Sequence, residues 1–235
     1  DYKEEGKTSS GSVDVAAAVA VASVNSQTRA LISSTGTQLS TGLVNVSSLA
    51  TSSSAVEADG TTIGDSATVG VGAAVAINVG VLDNSALIAT NADVTGRGVT
   101  VNAGTHTGET NTFSTTSTSG AGASSVGVAG SLAVGTLVSN ATAALQGGST
   151  VNAGTGDVRI EASNVTSSSV NAGAEVTGSG DSAKVGVGAS VGVNVGVNTT
   201  LAEVANAAVL NGGRNMTLNA SSEHGMDTEV TGGAG

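Results

Sequence analysis

The sequence predicts an all-β protein, a parallel β-solenoid built from four imperfect repeats of about 57 residues. Three observations carry this prediction: the composition, long runs in which residue types alternate, and a repeat that spans nearly the whole chain. The repeat occupies residues 11–235 as a single array, and residues 1–10 form a polar N-terminal extension.

The composition excludes several other fold classes. The chain has 235 residues, of which 35 are Gly, with no Pro, no Trp and only 1 % aromatic residues. Gly at about twice its usual ~7 % share weakens helix interiors, and so few aromatics leave little bulk for an ordinary globular core. Disorder is disfavoured because only 11 % of residues are charged and the mean hydropathy is +0.22. A β-rich fold with a narrow core of small residues remains.

The charge balance excludes one class of partner. Seven Lys and Arg against 18 Asp and Glu give a net charge of -11. Such a surface repels phosphate backbones and offers no aromatic platform for bases, so we expect no nucleic-acid binding. The absence of Cys fits a cytosolic or a secreted protein equally well. The chain does not start with Met and its opening segment, Asp1–Lys7, is polar, which indicates a processed product or a segment of something longer.

Two uncharged runs approach the length of a membrane helix, Ser66–Leu82 and Val185–Ala202. Both alternate residue by residue and contain Gly and Asn, which is typical of strands. We therefore expect no membrane insertion.

The repeat is defined by two landmarks that recur in step. Runs rich in Val, Ala and Gly start at residues 13, 69, 126 and 185, so the spacings are 56, 57 and 59. A second strand-like run follows at a similar distance in each unit, at Leu43–Val46, Val99–Asn102, Val158–Glu161 and Met216–Asn219. The four repeat units are approximately 11–66, 67–123, 124–182 and 183–235.

Within a unit, the opening run predicts a long strand. In the second unit, alternate residues from Val69 to Val81 are almost all Val or Ile, and those between them are Gly, Ala or Asn. We expect Val, Ile, Leu and Ala to form ladders inside the solenoid, and the small face to lie against a neighbouring backbone. A polar turn is predicted at Asp83–Ser85, followed by a short run, a turn at Thr95–Gly98, a strand from Val99 and a Ser/Thr-rich stretch.

The size of one coil is left open by the sequence. Val-Asn-Ala-Gly occurs at Val151–Gly154 and at Val170–Gly173, a separation of 19 that mildly favours three short coils per unit. In that case about 12 coils would form a rod on the order of 60 Å long. The long alternating run that opens each unit instead suits one wide, flat coil. Under either interpretation, uncapped ends favour end-to-end association.

Blocks such as Val69–Ile88 followed by Ala92–Gly104 resemble repeats of giant secreted bacterial surface proteins. These are the filamentous-haemagglutinin-like adhesins and the related leukotoxin-type large repeat proteins. The resemblance covers roughly residues 11–235. It implies an extracellular, right-handed β-helix at the bacterial cell surface that serves as a stalk or adhesive surface, with no catalytic residues to carry over.

The sequence contains one formal match to a catalytic motif. Gly188–Gly192 matches the G-x-S-x-G nucleophile elbow, with Ser190 as nucleophile and Glu203 and His224 in a permissible order downstream. The elbow requires a strand-to-helix turn, whereas Ser190 lies in the middle of an alternating run. We interpret the match as chance and predict no catalytic residues.

Metal and cofactor sites are not predicted either. The only two histidines, His106 and His224, occupy nearly equivalent places in their units but lack converging ligands. The tandem G-G-x-G-x-D signature of calcium β-rolls and the dinucleotide and P-loop fingerprints are all absent. Aspartates near the predicted turns are expected there for their own hydrogen bonding; these are Asp59, Asp65, Asp83, Asp93 and Asp181.

The leading functional hypothesis is a non-catalytic shaft or filament segment of a large adhesin. Its expected partners are other copies of itself, end to end or laterally, and a host or neighbouring cell surface. The alternative is a binding module whose Ser/Thr/Asn-rich face recognises a glycan, a host protein or ice, since alternate residues from Thr110 to Thr118 are Ser or Thr. An enzyme acting on polysaccharide ranks third. Glycoside hydrolysis needs a pair of facing carboxylates, and sugar sites usually add aromatic platforms, whereas this chain has almost no aromatic residues.

Overall fold

A computed structural model describes residues 2–5, 12–33, 35–62, 67–177 and 185–234 of the chain. This part of the protein is all-β, and every strand pairing in it is parallel. Its strands are β1 Tyr2–Glu5, β2 Val13–Ile32, β3 Thr37–Leu39, β4 Val44–Leu49, β5 Ser53–Thr61, β6 Val69–Ile88, β7 Asp93–Thr95, β8 Val99–Gly104, β9 Asn111–Gly122, β10 Val126–Leu145, β11 Thr150–Asn152, β12 Val158–Thr177, β13 Val185–Val204, β14 Val209–Asn211 and β15 Met216–Ala234.

The strands form three sheets, and the chain visits them in the same order four times. The long-strand sheet contains β2, β6, β10 and β13, and the short-strand sheet contains β3, β7, β11 and β14. The third, which we call the return sheet, contains the other seven strands. One passage through all three is a coil: coil 1 is β2–β5, coil 2 is β6–β9, coil 3 is β10–β12 and coil 4 is β13–β15. This strand pattern is consistent with a parallel β-solenoid.

The coils stack in the register that the repeat predicts. Val13 pairs with Val69, Val69 with Val126 and Val126 with Val185, and the pairing continues without a slip to the end of each long strand. The short strands pair in step as well. Stacked coils therefore place equivalent residues of the repeat directly above one another.

Each repeat makes one wide coil, which settles the coil size. The two Val-Asn-Ala-Gly sequences lie in one coil on different sheets, because Val151 belongs to β11 and Val170 to β12. Their separation in sequence is thus unrelated to the coil period. Four coils at ~4.8 Å each give a stack about 19 Å high, in place of the long rod that 12 short coils would form.

The long strands also extend further than the sequence pattern indicates. The predicted polar turn at Asp83–Ser85 is wrong, because β6 runs unbroken from Val69 to Ile88. Asp83 points outward there and Asn84 is buried. At the start of the chain, residues 2–5 of the predicted extension form β1, which pairs with β5 from Val56 to Asp59.

The inward face of the long-strand sheet is the opposite of the one expected. Gly, Ala and Asn point into the solenoid, with Ala74 and Ala76 at most 2 % exposed. The valines from Val69 to Val81 point outward. Valine ladders do line the interior elsewhere, as Val101 and Ile160 of the return sheet show at 0 % exposure.

Backbone proximity explains this choice. A Cβ on Gly72 would lie 2.3 Å from the carbonyl oxygen of Gly120 and 2.7 Å from that of Gly60, both in the return sheet. The expectation that the small face lies against a backbone is therefore confirmed. The two large sheets approach closely at this end of the coil. At the other end, near the short-strand sheet, they diverge around an aliphatic core that includes Ile88, Val94 and Leu145.

Candidate functional site

The long-strand sheet presents a broad apolar surface, which we call the valine face. It consists of the outward side chains along the first two thirds of each long strand. They are Val13, Val15, Ala17, Val19, Val21, Ser23 and Asn25 of coil 1, Val69, Val71, Ala73, Val75, Ile77, Val79 and Val81 of coil 2, Val126, Val128, Gly130, Leu132, Val134, Thr136 and Val138 of coil 3, and Val185, Val187, Ala189, Val191, Val193, Val195 and Val197 of coil 4.

These side chains are exposed or half-buried, since on this side each is covered only by its neighbours in the sheet. Val19 is 60 % exposed and Val191 is 54 % exposed. The face contains no charged residue. Parallel sheets are usually covered on both faces, so a continuous uncovered field of β-branched side chains points to an interaction surface.

A polar margin bounds the valine face where the same strands continue. Arg29, Asp83 and Glu203 point outward in coils 1, 2 and 4, with hydroxyl and amide side chains beside them. A shallow depression lies here, lined by Arg29, Asp83 and Glu203 among others. No ion pair joins these three residues in the described structure, so the margin is solvated polar surface.

The opposite side of the solenoid presents a second surface, the hydroxyl face of the return sheet. It is formed by outward side chains in rows across β5, β9, β12 and β15. The rows are Ser53, Thr112, Ser167 and Gly225; Ala55, Ser114, Ser169 and Asp227; Glu57, Thr116, Asn171 and Glu229; and Asp59, Thr118, Gly173 and Thr231.

The alternating Ser/Thr pattern is thus a strand face, as predicted, from Thr112 to Thr118 of β9, while Thr110 precedes the strand. The stretches compared with it in sequence, Ser52–Ala55 and Thr166–Ser169, do lie beside it. Acidic residues such as Glu57 and Asp227 share the surface, so its hydroxyl array is interrupted.

Inside the solenoid, amide side chains join the long-strand sheet to the return sheet. Ser54 Oγ donates to Asn78 Oδ1 at 2.9 Å, and Asn78 Nδ2 donates to the Ser114 carbonyl at 3.0 Å. The equivalent Asn194, two coils away, accepts from Ser168 Oγ at 2.7 Å. These amides have their hydrogen bonds satisfied within the protein, so they act as structural links between sheets.

The residues of the nucleophile-elbow match do not converge. Ser190 points inward from β13, where its Oγ donates to the Thr231 carbonyl at 2.6 Å. Glu203 lies on the outward face of the same strand, about 43 Å further along at ~3.3 Å per residue. The ring of His224 hydrogen-bonds with Thr166 Oγ1 at 2.8 Å and Ser222 Oγ at 2.6 Å.

The two histidines occupy different places, contrary to expectation. His224 pairs with Thr166, which pairs with Asn111. His106 lies before this position, in the loop at residues 105–110 that connects β8 to β9. In coil 3, both β8 and β9 pair with the single strand β12, and only Asn164 and Val165 separate the two paired segments. The sequence spacing missed this insertion in coil 2.

Acidic residues do not gather into a metal site. Within the described ranges, no three His, Cys, Asp or Glu side chains are placed to hold an ion. Asp59, Asp83 and Asp93 lie in β5, β6 and β7. Asp65 and Asp181 lie outside the described residues.

One cluster of charges links coils 3 and 4. Arg214 donates to both carboxylate oxygens of Asp157 at 3.1 Å, and Asn215 Nδ2 donates to Asp157 Oδ1 at 3.0 Å. The Arg214 hydrogen bonds, followed by that of Asn215, lower the pKa of Asp157. All three groups are already paired, so this is a contact between coils.

The end of the stack at coil 4 exposes side chains that belong to the interior. Leu218 pairs with Ile160 and points the same way, yet Leu218 is 50 % exposed and Ile160 is 0 % exposed. Met226 and Val230 of β15 are likewise about half exposed. The inward positions of coil 4 are thus open on one side.

The part of the chain that the structure describes contains no helix with the length and hydropathy needed to cross a bilayer.

The chain matches no protein-family model, no curated protein and no solved structure. Its surfaces and ends therefore carry the functional argument.

Proposed function

We propose that the protein is a structural, non-catalytic shaft or filament segment of a large bacterial surface adhesin. In this role it acts outside the cell through its length, stiffness and repeated weak contacts. The resemblance of Val69–Ile88 to adhesin repeats supports the location and the family, and the coil geometry supports the mechanical role.

The observation that carries the mechanical role is the uncovered interior of coil 4. Leu218, Met226 and Val230 continue ladders that are buried in coil 3, so a further coil of the same kind would bury them in turn. In a repeat protein each unit contacts only its neighbours, and an open end is a place where the array extends. A shaft is built by such extension.

Stiffness follows from the way the coils are joined. Backbone hydrogen bonds run between coils on all three sheets, and the long strands pair along their whole length. Bending the stack would break many of these bonds together. Repetition also places outward side chains at equivalent positions in each coil, so weak contacts to a cell surface add through multivalency.

Electron microscopy combined with circular dichroism tests this proposal. We expect a β-rich spectrum and rods whose length grows in steps of about 19 Å, the height of four coils at ~4.8 Å. The double substitution Leu218→Lys and Met226→Lys places charge on the open end and should leave particles no longer than one four-coil stack. Thr217→Lys is the matched control, because Thr217 adjoins Leu218 in β15 but pairs with the exposed, outward-facing Arg159. A helical spectrum with no rods or filaments would refute the proposal.

The hydroxyl face supports a second candidate function, a binding module for a glycan, a host protein or ice. The supporting observation is that Ser53, Thr112 and Ser167 form a row across three coils. A glycan array and an ice-recrystallisation assay test it directly. Blank results in both would remove the glycan and ice versions, and a triple Ala substitution in this row should abolish any binding that is found.

A further inference from the structure

The valine face is larger than the apolar patches that monomeric proteins usually expose. It takes about 13 residues of each strand, which at ~3.3 Å span about 40 Å, and four strands at ~4.8 Å span about 19 Å across them. The product is about 760 Å², whereas the largest patch on a typical monomer is about 300–600 Å². An apolar patch of this size indicates a binding partner with a contact surface of comparable area.

We propose that a second copy of this chain covers the valine face, so that two solenoids pack laterally with their long-strand sheets face to face. This inference goes beyond the shaft proposal, since it concerns the side of the solenoid and holds for any cellular location. A standard stable interface buries about 800 Å² on each partner. The valine face supplies nearly this area by itself, and a two-fold axis lets it serve as its own partner.

The shape of the face suits a second sheet. Equivalent side chains lie directly above one another from Val13 to Val69, Val126 and Val185. The face is therefore a regular array of mostly β-branched side chains, with one row of small residues at Ala17, Ala73, Gly130 and Ala189. Two such arrays can interdigitate at the usual ~10 Å spacing of packed sheets. Valine has little rotamer freedom to lose on burial, which lowers the entropic cost of association.

Charge favours a second copy over a lipid surface. The chain has a net charge of -11 with one Tyr and one Phe, whereas surfaces that bind membranes use Lys and Arg beside aromatic anchors. An anionic bilayer would repel it. Two copies repel each other too, but the charges lie outside the valine face. Added salt screens that repulsion, so lateral pairing should tighten as ionic strength rises.

Sedimentation tests the proposal in the chain that carries Leu218→Lys and Met226→Lys, because charge at the open end of coil 4 keeps end stacking from adding to the measured mass. We expect a dimer at about 10 µM, and the double substitution Ile77→Lys and Val134→Lys should weaken it at least about 100-fold, because it buries charge at the centre of the face. The matched control is Ser85→Lys with Thr142→Lys, on the same two strands and the same outward side but beyond the valine face. We expect a change of less than about threefold in the control. All four sites are outward, so circular dichroism should be unchanged.

A crosslinking measurement locates the contact independently. The chain has no cysteine, so Val134→Cys introduces a single thiol at the centre of the face. A short bismaleimide should join two copies through Val134→Cys, and should fail to join them through a cysteine at Asn171, on the opposite hydroxyl face.

Three outcomes would overturn lateral pairing. The first is a folded chain with Leu218→Lys and Met226→Lys that stays monomeric up to about 100 µM. The second is association that survives the Ile77 and Val134 substitutions but is lost on Leu218→Lys, which would instead support end stacking. The third is a monomer that binds uncharged phosphatidylcholine vesicles through the valine face. Failure of lateral pairing would leave the rods expected of a shaft unaffected, so the two proposals are separable.

Discussion

Asn78 and Ser54 belong to neighbouring coils, and their side chains meet across the interior, where Ser54 Oγ donates to Asn78 Oδ1 at 2.9 Å. The same amide donates to the backbone carbonyls of Ser54 and Ser114. Asn78 is 1 % exposed, so water cannot replace these bonds. A polar group in a narrow interior thus becomes a link between two sheets.

We expect Asn78→Ala to lower the free energy of unfolding by about 2 kcal/mol or more, because it removes the hydrogen bonds of Asn78 to Ser54 and Ser114 and opens a cavity. Urea unfolding followed by circular dichroism measures the change. Asn140→Ala is the control, since Asn140 points outward from β10 and should change stability by less than about 0.5 kcal/mol. Equal effects in the two variants would contradict a linking role for Asn78.

Gly72 tests how closely the sheets approach. Gly72→Val should destabilise the protein by about 3 kcal/mol or more, because the new side chain would overlap the Gly120 and Gly60 carbonyls. Gly130→Val should be tolerated, since Gly130 points outward and a Cβ there meets no atom within 4 Å. Thermal unfolding distinguishes the two, and a stable Gly72→Val protein would show that the sheets are further apart than described.

Ile160 and Leu218 hold the same place in successive coils, with different exposure. Ile160→Ala should cost about 2–5 kcal/mol through the cavity it leaves. Leu218→Ala should cost well under half as much, because that side chain is already half in solvent. Chemical unfolding at low protein concentration keeps end stacking from masking the difference. Similar costs at both sites would mean that coil 4 is covered in solution.

Asp157 gives a pH-dependent contribution whose sign follows from its lowered pKa. Its ordinary value is 3.8, and hydrogen bonds from Arg214 and then Asn215 hold it below that in the folded protein. The stabilisation is therefore present above the unfolded-state pKa and is lost as pH falls through the lower folded-state pKa. We expect Arg214→Gln to move the NMR titration of the Asp157 carboxyl back toward its ordinary pKa. Arg29→Gln, in coil 1, should leave that titration where it is.

Much of the fold could be predicted because the same residue types recur at equivalent positions of each repeat. Val13, Val69, Val126 and Val185 mark the coil period directly, and the alternation that follows each of them is the strand. The coil size could not be derived from the two Val-Asn-Ala-Gly sequences. They lie in two strands of the same coil, and from sequence alone such strands cannot be distinguished from equivalent strands of successive coils. The loop that contains His106 was missed because His106 and His224 follow the preceding strand-like runs at nearly the same distance in sequence, which hides the extra residues of the loop in coil 2.

The inward face was predicted wrongly because both faces of the long strands are apolar, so hydropathy alone cannot choose between them. Steric space made the choice, since a valine at an inward position such as Gly72 would overlap the opposing backbone. A sequence signal for it does exist: Arg29, Asp83 and Glu203 have the same parity as the valines of their strands, and they outnumber the one charged residue of opposite parity, the buried Asp14. The valine face could have been found from these three residues.

The register between coils has a consequence for folding kinetics. Val13 must find Val69, a whole coil further along the chain, and this separation is repeated at nearly every contact between coils. It is about a quarter of the chain length, a high relative contact order that implies slow folding. Pairing the first two coils closes a long loop with little local structure to guide it, whereas each later coil adds to an edge already formed. We therefore expect refolding to begin with a slow nucleation phase and to continue by faster, directional growth.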